Sequence, residues 1–153
     1  MSSRLQIEIK QNKPFASLAH EAVLGLLRTA AILDHATDEE LRPFGLTGTQ
    51  FNVLRILRGA GEQGLCGREI GERMITKVPD VPRLMDRLEK AEFIRRERNP
   101  DDRRHVTARI TAKGLDLLDR IGNGSGAIEK RFRHLTDEQL TSLISALDVI
   151  RGG

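Results

Sequence analysis

The stretch from Val81 to Gly114 constrains the fold of this chain more than any other, because two periodicities follow one another in it. Apolar residues first recur at the spacing i, i+3, i+4 and i+7, which predicts a helix with one buried stripe: Val81, Leu84, Met85 and Leu88. The opposite face of this helix carries charged residues: Arg83, Asp86, Arg87 and Lys90. We expect the helix to begin near Pro79 or Asp80.

A β-hairpin is predicted directly after this helix. We expect its strands at residues 93–98 and 106–110, and in the second strand Val106, Ala108 and Ile110 alternate with polar residues. Asn99 and Pro100 favour a type I turn, and the pair Arg103–Arg104 follows that turn. A helix that fits a major groove, beside a hairpin tipped with arginines, is the geometry of a winged helix-turn-helix. The predicted fold is therefore mostly α, with a small β-hairpin wing.

The amount of charge does not by itself point to nucleic acid. The 153-residue chain has a formal net charge of +3, and residues 83–104 hold eight Arg or Lys against six Asp or Glu. Such mixing is typical of a solvated, salt-bridged surface, so the prediction of DNA contacts depends on where the cations lie. The lack of Trp and Tyr argues against a stacking surface for single strands.

Several other classes of protein are disfavoured. No apolar run is long enough for a signal peptide or a membrane span, which favours a cytoplasmic protein without a membrane partner. The sequence has no nucleophile with an adjacent base, no Gly-rich phosphate loop and no metal-ligand spacing. We therefore expect no enzyme activity, no cofactor and no metal site.

Cys66 is the only cysteine, which excludes an internal disulfide and suits a reducing compartment. It lies where a short helix is predicted, at residues 67–74. A thiol at a helix N-terminus can react with oxidants, so one hypothesis is a redox-responsive regulator. The alternative is a small residue at the N-cap that carries no chemistry.

The N-terminal part of the chain is predicted to contain one long amphipathic helix. It runs from Phe15 to about Thr37 and ends before Pro43 and Gly45. Residues 1–13 are predicted to be a frayed tail or, alternatively, an extended arm laid on a partner subunit.

Two capping boxes mark further helix starts. Thr47 and Gln50 open a helix, which is followed by a loop at residues 59–64 and a short strand at Leu65. The residues Thr136 to Gln139 open the last helix, whose apolar face is predicted to consist of Leu140, Leu143, Ile144, Leu147 and Ile150.

A single helix is predicted from Thr111 to Phe132, with a kink or a close helix crossing where three glycines fall: Gly122, Gly124 and Gly126. The terminal helices, at residues 15–42 and 112–151, carry apolar stripes. We expect the DNA-binding domain at 46–111 to form its hydrophobic core without them. We therefore interpret residues 1–153 as one winged-helix chain that forms a twofold homodimer through its terminal helices.

Four pieces of this sequence occur together in a known order: LTGTQFNVL at 46–54, RLMDRLEK at 83–90, RRERNPDDRR at 95–104 and ITAKGL at 110–115. Together they closely resemble the MarR family of bacterial transcription regulators. The resemblance implies a dimeric winged-helix repressor or activator, which binds a pseudo-palindromic operator and is released by a small ligand or an oxidant. It also implies dimerisation through the terminal helices.

The predicted helix that contains Val81 and Leu88 is expected to contact duplex DNA through four residues: Arg83, Arg87, Lys90 and Pro82. Arg83 and Arg87 are expected in the major groove, where a bidentate arginine–guanine pair gives about 1–3 kcal/mol of discrimination. Lys90 is expected on a phosphate, and the ring of Pro82 against a thymine methyl group. The alternative is that an arginine pairs with Asp86 or Glu89 and contacts no base.

The resemblance also implies roles in the wing. Asp102 would brace the hairpin, Arg104 would enter the minor groove, where narrow A·T tracts attract arginine, and Arg103 would contact the backbone. Two features depart from the family pattern. Pro79 and Pro82 stand where Ser or Thr is usual. Ala91-Glu92 replaces Lys-Gly before the wing, so a tighter or differently angled turn from the helix to the strand is expected.

The resemblance implies that a small-molecule effector would bind where the first, second and long fifth predicted helices meet, with three polar candidates: His20, Arg28 and His35. The alternative for each is an ordinary surface or interface residue. A rival hypothesis is a winged-helix module for protein interaction, which predicts a face depleted of arginine. Arg83, Arg87, Arg103 and Arg104 argue against that hypothesis.

Overall fold

The computed structural model describes residues 3–122 and 126–153. Within these ranges the helices are α1 (Arg4–Glu8), α2 (Leu18–Leu41), α3 (Gly48–Ala60), α4 (Gly67–Arg73), α5 (Val81–Lys90), α6 (Ala112–Ile121), α7 (Gly126–Phe132) and α8 (Asp137–Ile150). The strands are β1 (Leu65–Cys66), β2 (Ile94–Arg98) and β3 (Val106–Ile110). They form one antiparallel sheet in the order β1-β3-β2. The predicted fold class, mostly α with a small hairpin, is confirmed.

Two glycines allow the sheet to pack closely. Gly64 has φ +66°, and a Cβ there would lie 2.4 Å from the carbonyl oxygen of Ala108 on β3. A Cβ on Gly114, in the first turn of α6, would lie 2.4 Å from the carbonyl oxygen of Phe93. Any larger residue would push β1 or α6 away from the sheet.

One hydrophobic core joins the helix-turn-helix to the sheet. Its members with at most 2% exposure include Val53, Leu54, Leu57, Ile70, Leu88, Ile94, Leu117 and Leu118. The end of α2 also contributes, because Leu41 is 2% exposed in the same cluster. The expectation that this core does not need the terminal helices is therefore wrong for Leu41 and for α6.

Both capping boxes are confirmed. The backbone N–H of Thr47 donates to Gln50 Oε1 at 2.9 Å, and the N–H of Gln50 donates to Thr47 Oγ1 at 3.3 Å. Thr136 and Gln139 exchange the same two bonds at 2.9 and 3.2 Å. The predicted loop at 59–64 begins too early, since α3 continues to Ala60 and a 3₁₀ turn covers Gly61–Gln63.

The N-terminal segment differs from both predictions made for it. From Ser3 onward it is neither frayed nor extended, but forms α1, which Ser3 caps by accepting a hydrogen bond from the N–H of Gln6 at 3.2 Å. Leu5 then packs on α2 at Gly25, where a Cβ would lie 3.7 Å from Leu5 Cδ2. The capping serine and the small residue on α2 together stabilise this short helix.

The first long helix begins and ends later than predicted. Ser17 caps α2 by accepting from the N–H of His20 at 3.1 Å, so Phe15 lies outside the helix. At the other end, Arg42 keeps helical angles although Pro43 follows it, because a 3₁₀ turn at Arg42–Phe44 continues the chain. Gly45, at φ 72°, ends this turn.

The single helix predicted from Thr111 to Phe132 is two helices. Thr111 caps α6 as expected, by accepting from the N–H of Gly114 at 3.1 Å, but α6 ends at Ile121. Gly122 adopts φ 73° and ψ −156°, which no helix continues. The predicted kink residue Gly124 lies outside the described residues. After it, α7 packs against α2.

The terminal helices expose large apolar side chains: Leu18, Val23, Leu26, Leu27, Leu143, Ile144, Val149 and Ile150. The exposure of Leu27 is 61% and that of Ile144 is 59%. Much of this apolar surface is therefore left open to solvent by the part of the chain that the structure describes. Among the described helices, none is long and apolar enough to cross a membrane.

Candidate nucleic-acid interface

The first turn of α5 accommodates its unusual proline. Asp80 is the N-cap, and its Oδ1 accepts from the N–H of Arg83 at 3.0 Å. Val81 and Pro82 occupy the first two helical positions, where backbone N–H groups have no acceptor within the helix. Pro82 therefore costs no hydrogen bond, and its fixed φ suits the helix start.

Three cations share the exposed side of α5: Arg83, Arg87 and Lys90, which together we call the cationic face. Their spacing of four and three residues keeps them on one side of the helix. The opposite side is fixed in the core, since Leu84, Met85 and Leu88 are 9%, 2% and 1% exposed. In the part of the chain that the structure describes, no ion pair involves the cationic face.

The two acidic residues of α5 are paired with the wing. Arg96 on β2 contacts Asp86 through Nη2 and donates from the same nitrogen to Glu89 Oε1 at 3.1 Å. Its backbone N–H also donates to Glu89 Oε2 at 2.7 Å. Asp86 and Glu89 therefore pair with Arg96 and not, as the alternative prediction had it, with Arg83 or Arg87. Sequence inspection missed Arg96, whose partners are seven and ten residues away.

The cluster of Arg96, Asp86 and Glu89 shifts the pKa values of two of its members. Hydrogen bonds from the Arg96 side chain hold the pKa of Glu89 below its usual value. Burial alone would lower the pKa of Arg96, but its hydrogen bonds with Asp86 and Glu89 outweigh burial and raise that pKa. The cluster therefore favours the ionised carboxylate of Glu89 and the protonated guanidinium of Arg96.

The turn from α5 to the wing uses a residue in the left-handed region. The N–H of Phe93 donates to the carbonyl of Leu88 at 3.1 Å, and the N–H of Glu92 donates to the carbonyl of Glu89 at 2.9 Å. These two bonds form a Schellman motif, whose C′ residue is normally glycine. Glu92 adopts φ 66° at this position. The expected change in turn angle is thus not needed, because Glu92 takes the conformation that glycine favours.

The tip of the wing differs from its predicted turn. The N–H of His105 donates to the carbonyl of Asp102 at 3.0 Å, so the hydrogen-bonded turn lies at Asp102–His105 rather than at 99–102. Asn99 instead accepts at its side chain from the N–H of Asp101 at 2.9 Å. The cause is that both Asn99 and Asp102 use their side chains as local acceptors.

Asp102 and Arg104 form a compact pair at this tip. Asp102 Oδ1 accepts from the backbone N–H of Arg104 at 3.1 Å and from its Nε at 3.3 Å. The Arg104 side chain is still 92% exposed, and Arg103 is exposed beside it. The wing thus presents two arginines on a turn that Asp102 braces.

The turn between α4 and α5 is also fixed by side chains. Lys77 Nζ donates to the carbonyls of Gly71 and Glu72 at 2.7 and 2.8 Å, which satisfies the C-terminal end of α4. Asn52 Oδ1 accepts from the N–H of Ile75 at 3.0 Å, tying this turn to α3. Neither contact was visible in the sequence pattern, since both join separate elements.

Comparison with known proteins decides the family. Residues 46–106 match the MarR family. The HTH-type transcriptional regulator MhqR of Bacillus subtilis (strain 168) is 32% identical over 111 residues, which cover 72% of this chain and 74% of MhqR. This chain belongs to the MarR family.

Solved MarR-family structures share its architecture. A MarR transcription factor from Planctomyces limnophilus is 33% identical with a TM-score of 0.68, over 89% of this chain and 99% of that one. Sco3205, a MarR family transcriptional regulator from Streptomyces coelicolor solved in complex with DNA, shares the fold with a TM-score of 0.79 at 24% identity. The latter alignment covers 90% of this chain and 92% of Sco3205.

In this MarR-family chain Cys66 occupies the N-cap of α4, as predicted, and is half-buried. Its backbone N–H donates to Glu69 Oε2 at 2.9 Å, and this hydrogen bond holds the pKa of Glu69 below its usual value. Oxidant sensing by Cys66 stays a prediction.

The three candidate ligand residues are not brought together. His20 and His35 lie about 22 Å apart along α2 at 1.5 Å per residue, and Arg28 lies between them on the exposed surface. His35 Nε2 lies 4.0 Å from Glu39 Oε1.

A cavity of about 540 Å³ lies in a different part of the molecule, between α4, α5 and the sheet, and Met85 and Val106 line it.

Proposed function

We propose that this chain is a dimeric, sequence-specific DNA-binding transcriptional regulator that acts in the cytoplasm. The observation that carries the proposal is the unpaired cationic face of α5, held beside the exposed arginines of the wing. A helix of this width fits the major groove, and phosphates attract cations that have no protein partner. The alternative of a protein-interaction module offers no reason for this arrangement.

Each residue has a role in the proposal. Arg83 and Arg87 contact base edges in the major groove, Lys90 contacts a phosphate, and Pro82 packs on a thymine methyl group. In the wing, Arg104 enters the adjacent minor groove and Arg103 contacts the backbone, while Asp102 holds the turn that presents them. The family membership supports these roles.

The homodimer supplies the second half of the site. The exposed apolar residues of α2 and α8 support a twofold interface between terminal helices. A twofold dimer presents two copies of α5, so the operator should be pseudo-palindromic, with half-sites about one helical turn apart. Binding there as a repressor would block access to a promoter.

Release by a small ligand is the regulatory part of the proposal. The cavity of about 540 Å³ is large enough for a small molecule. Pro82 and Met85 of α5 line it, so an occupant would contact the helix that carries the cationic face. Oxidation of Cys66 is the alternative trigger, and His20, Arg28 and His35 remain candidates for a site formed between subunits.

The proposal is tested by selecting bound sequences from a random duplex pool with purified protein at physiological salt. We expect an inverted repeat whose half-sites are about ten base pairs apart. A protein shown to be folded that enriches no sequence would contradict the proposal.

A further inference from the structure

Arg96 differs from the other arginines near the proposed DNA surface. Its side chain is 24% exposed, whereas that of Arg104 is 92% exposed. Its Nη2 and Nε are directed at the carboxylates of Asp86 and Glu89. With these donors occupied and most of its surface covered, Arg96 is poorly placed to bind a phosphate itself.

The two carboxylates that it holds lie on the helix that carries the cationic face. Asp86 directly precedes Arg87, and Glu89 directly precedes Lys90. Without a partner, two negative charges would offset two of the three positive charges of that face and would repel the phosphates of an approaching duplex. Arg96 also connects β2 to α5, and thereby sets the position of the wing relative to the helix.

We propose that Arg96 is a positioning residue for DNA binding, which neutralises Asp86 and Glu89 and keeps the cationic face available to the duplex without touching DNA. This inference rests on the proposed function. The lowered pKa of Glu89 supports it, because Arg96 stabilises the ionised carboxylate. The network joins two elements that must act together, the helix and the wing.

The test is a mutant cycle on the full chain, with the selected inverted repeat as the probe. Four proteins are compared: wild type, Arg96→Ala, Asp86→Asn/Glu89→Gln, and the triple variant. We expect Arg96→Ala to weaken binding about tenfold or more at physiological salt. We expect neutralising both acids to restore most of this loss in the Arg96→Ala background, and to change wild-type affinity far less.

A matched control is Arg95→Ala, which removes the same charge from the adjacent, exposed position on the opposite face of the strand. It should weaken binding less than Arg96→Ala does. Thermal unfolding of each variant shows whether it is folded, and Arg96→Met replaces Arg96→Ala if the smaller side chain destabilises the hairpin.

The outcomes separate three explanations. Equal gains from neutralising the acids in both backgrounds would overturn the inference, because Arg96 would then not act through them. A folded triple variant that stays as weak as Arg96→Ala would mean that Arg96 contacts DNA or serves only the fold, which also overturns it. Absence of duplex binding by wild type would overturn the proposed function itself, and this inference with it.

Discussion

The DNA-binding core and the terminal helices of this chain satisfy their surfaces in opposite ways. In the core, α5 buries Leu88 to 1% exposure and pairs both of its acidic residues with β2. In the terminal helices, Leu27 and Ile144 remain 61% and 59% exposed. The comparison indicates that a single chain fixes the position of its cationic face, whereas the apolar faces of its terminal helices stay exposed and, in our proposal, are covered by a second copy.

The largest effect is expected from a cavity in the core. Leu88→Ala should destabilise the fold by about 2–5 kcal/mol, since it removes a fully buried side chain from the joint between α5 and the sheet. Chemical denaturation measures this loss. Lys90→Ala on the exposed side of the same helix should change stability by less than about 0.5 kcal/mol, and equal losses would contradict the assignment of faces.

The terminal helices should behave differently when charged residues are introduced. Leu27→Glu combined with Ile144→Glu should give folded monomers and reduce operator affinity about 100-fold, because the second α5 is lost. Sedimentation measures the mass and a binding titration the affinity. Ile75→Glu, at an 89% exposed apolar position outside the terminal helices, should stay dimeric, and a dimeric double variant would refute the interface.

An intermediate effect is expected at the tip of the wing. Arg104→Ala should weaken operator binding about tenfold and reduce the preference for A·T-rich flanks, because we propose that this side chain supplies a minor-groove contact. Binding to operators with A·T-rich or G·C-rich flanks measures both changes. An affinity unchanged at physiological salt would remove the wing from the interface.

The smallest expected effect is a gain in stability. Glu92→Gly should stabilise the core by about 0.5–1 kcal/mol, because glycine adopts φ 66° without the strain of a side chain. The substitution removes the ion pair between Glu92 Oε2 and Lys113 Nζ, which lie 3.6 Å apart. Both side chains are exposed, so this pair contributes little to stability. Lys10→Gly relieves a similar φ of 54° beside α1. The Lys10→Gly variant should leave the unfolding midpoint of the core unchanged if α1 melts separately from the core. A Glu92→Gly variant that is less stable than wild type would contradict this account of the turn.

Much of the fold followed from the sequence where the determining contacts are local. The period of Val81, Leu84 and Leu88 predicted α5 and its buried face, and the pairing of Thr47 with Gln50 predicted the start of α3. These signals lie within one or two helical turns, so no knowledge of tertiary packing is needed.

Other features were mispredicted because they depend on a backbone break or on distant contacts, which residue periodicity does not reveal. Leu118, Ile121 and Ile128 keep a helical period across the break at Gly122, so periodicity alone could not reveal two helices. α1 depends on packing against Gly25, and the pairing of Arg96 with α5 exists only because β2 lies beside that helix. The candidate site residues on α5 could be proposed from the sequence because they share one face of a predicted helix.

The most direct test of the central claim, that the unpaired cationic face recognises bases, is a single-base-pair scan of the selected operator with wild type and Arg83→Ala. Wild type should lose about 1–3 kcal/mol of binding free energy when one position in each half-site is changed. Arg83→Ala should bind these operators nearly equally while keeping the other preferences. A uniform loss of affinity across all sequences would mean that Arg83 contacts a phosphate, and would contradict the account.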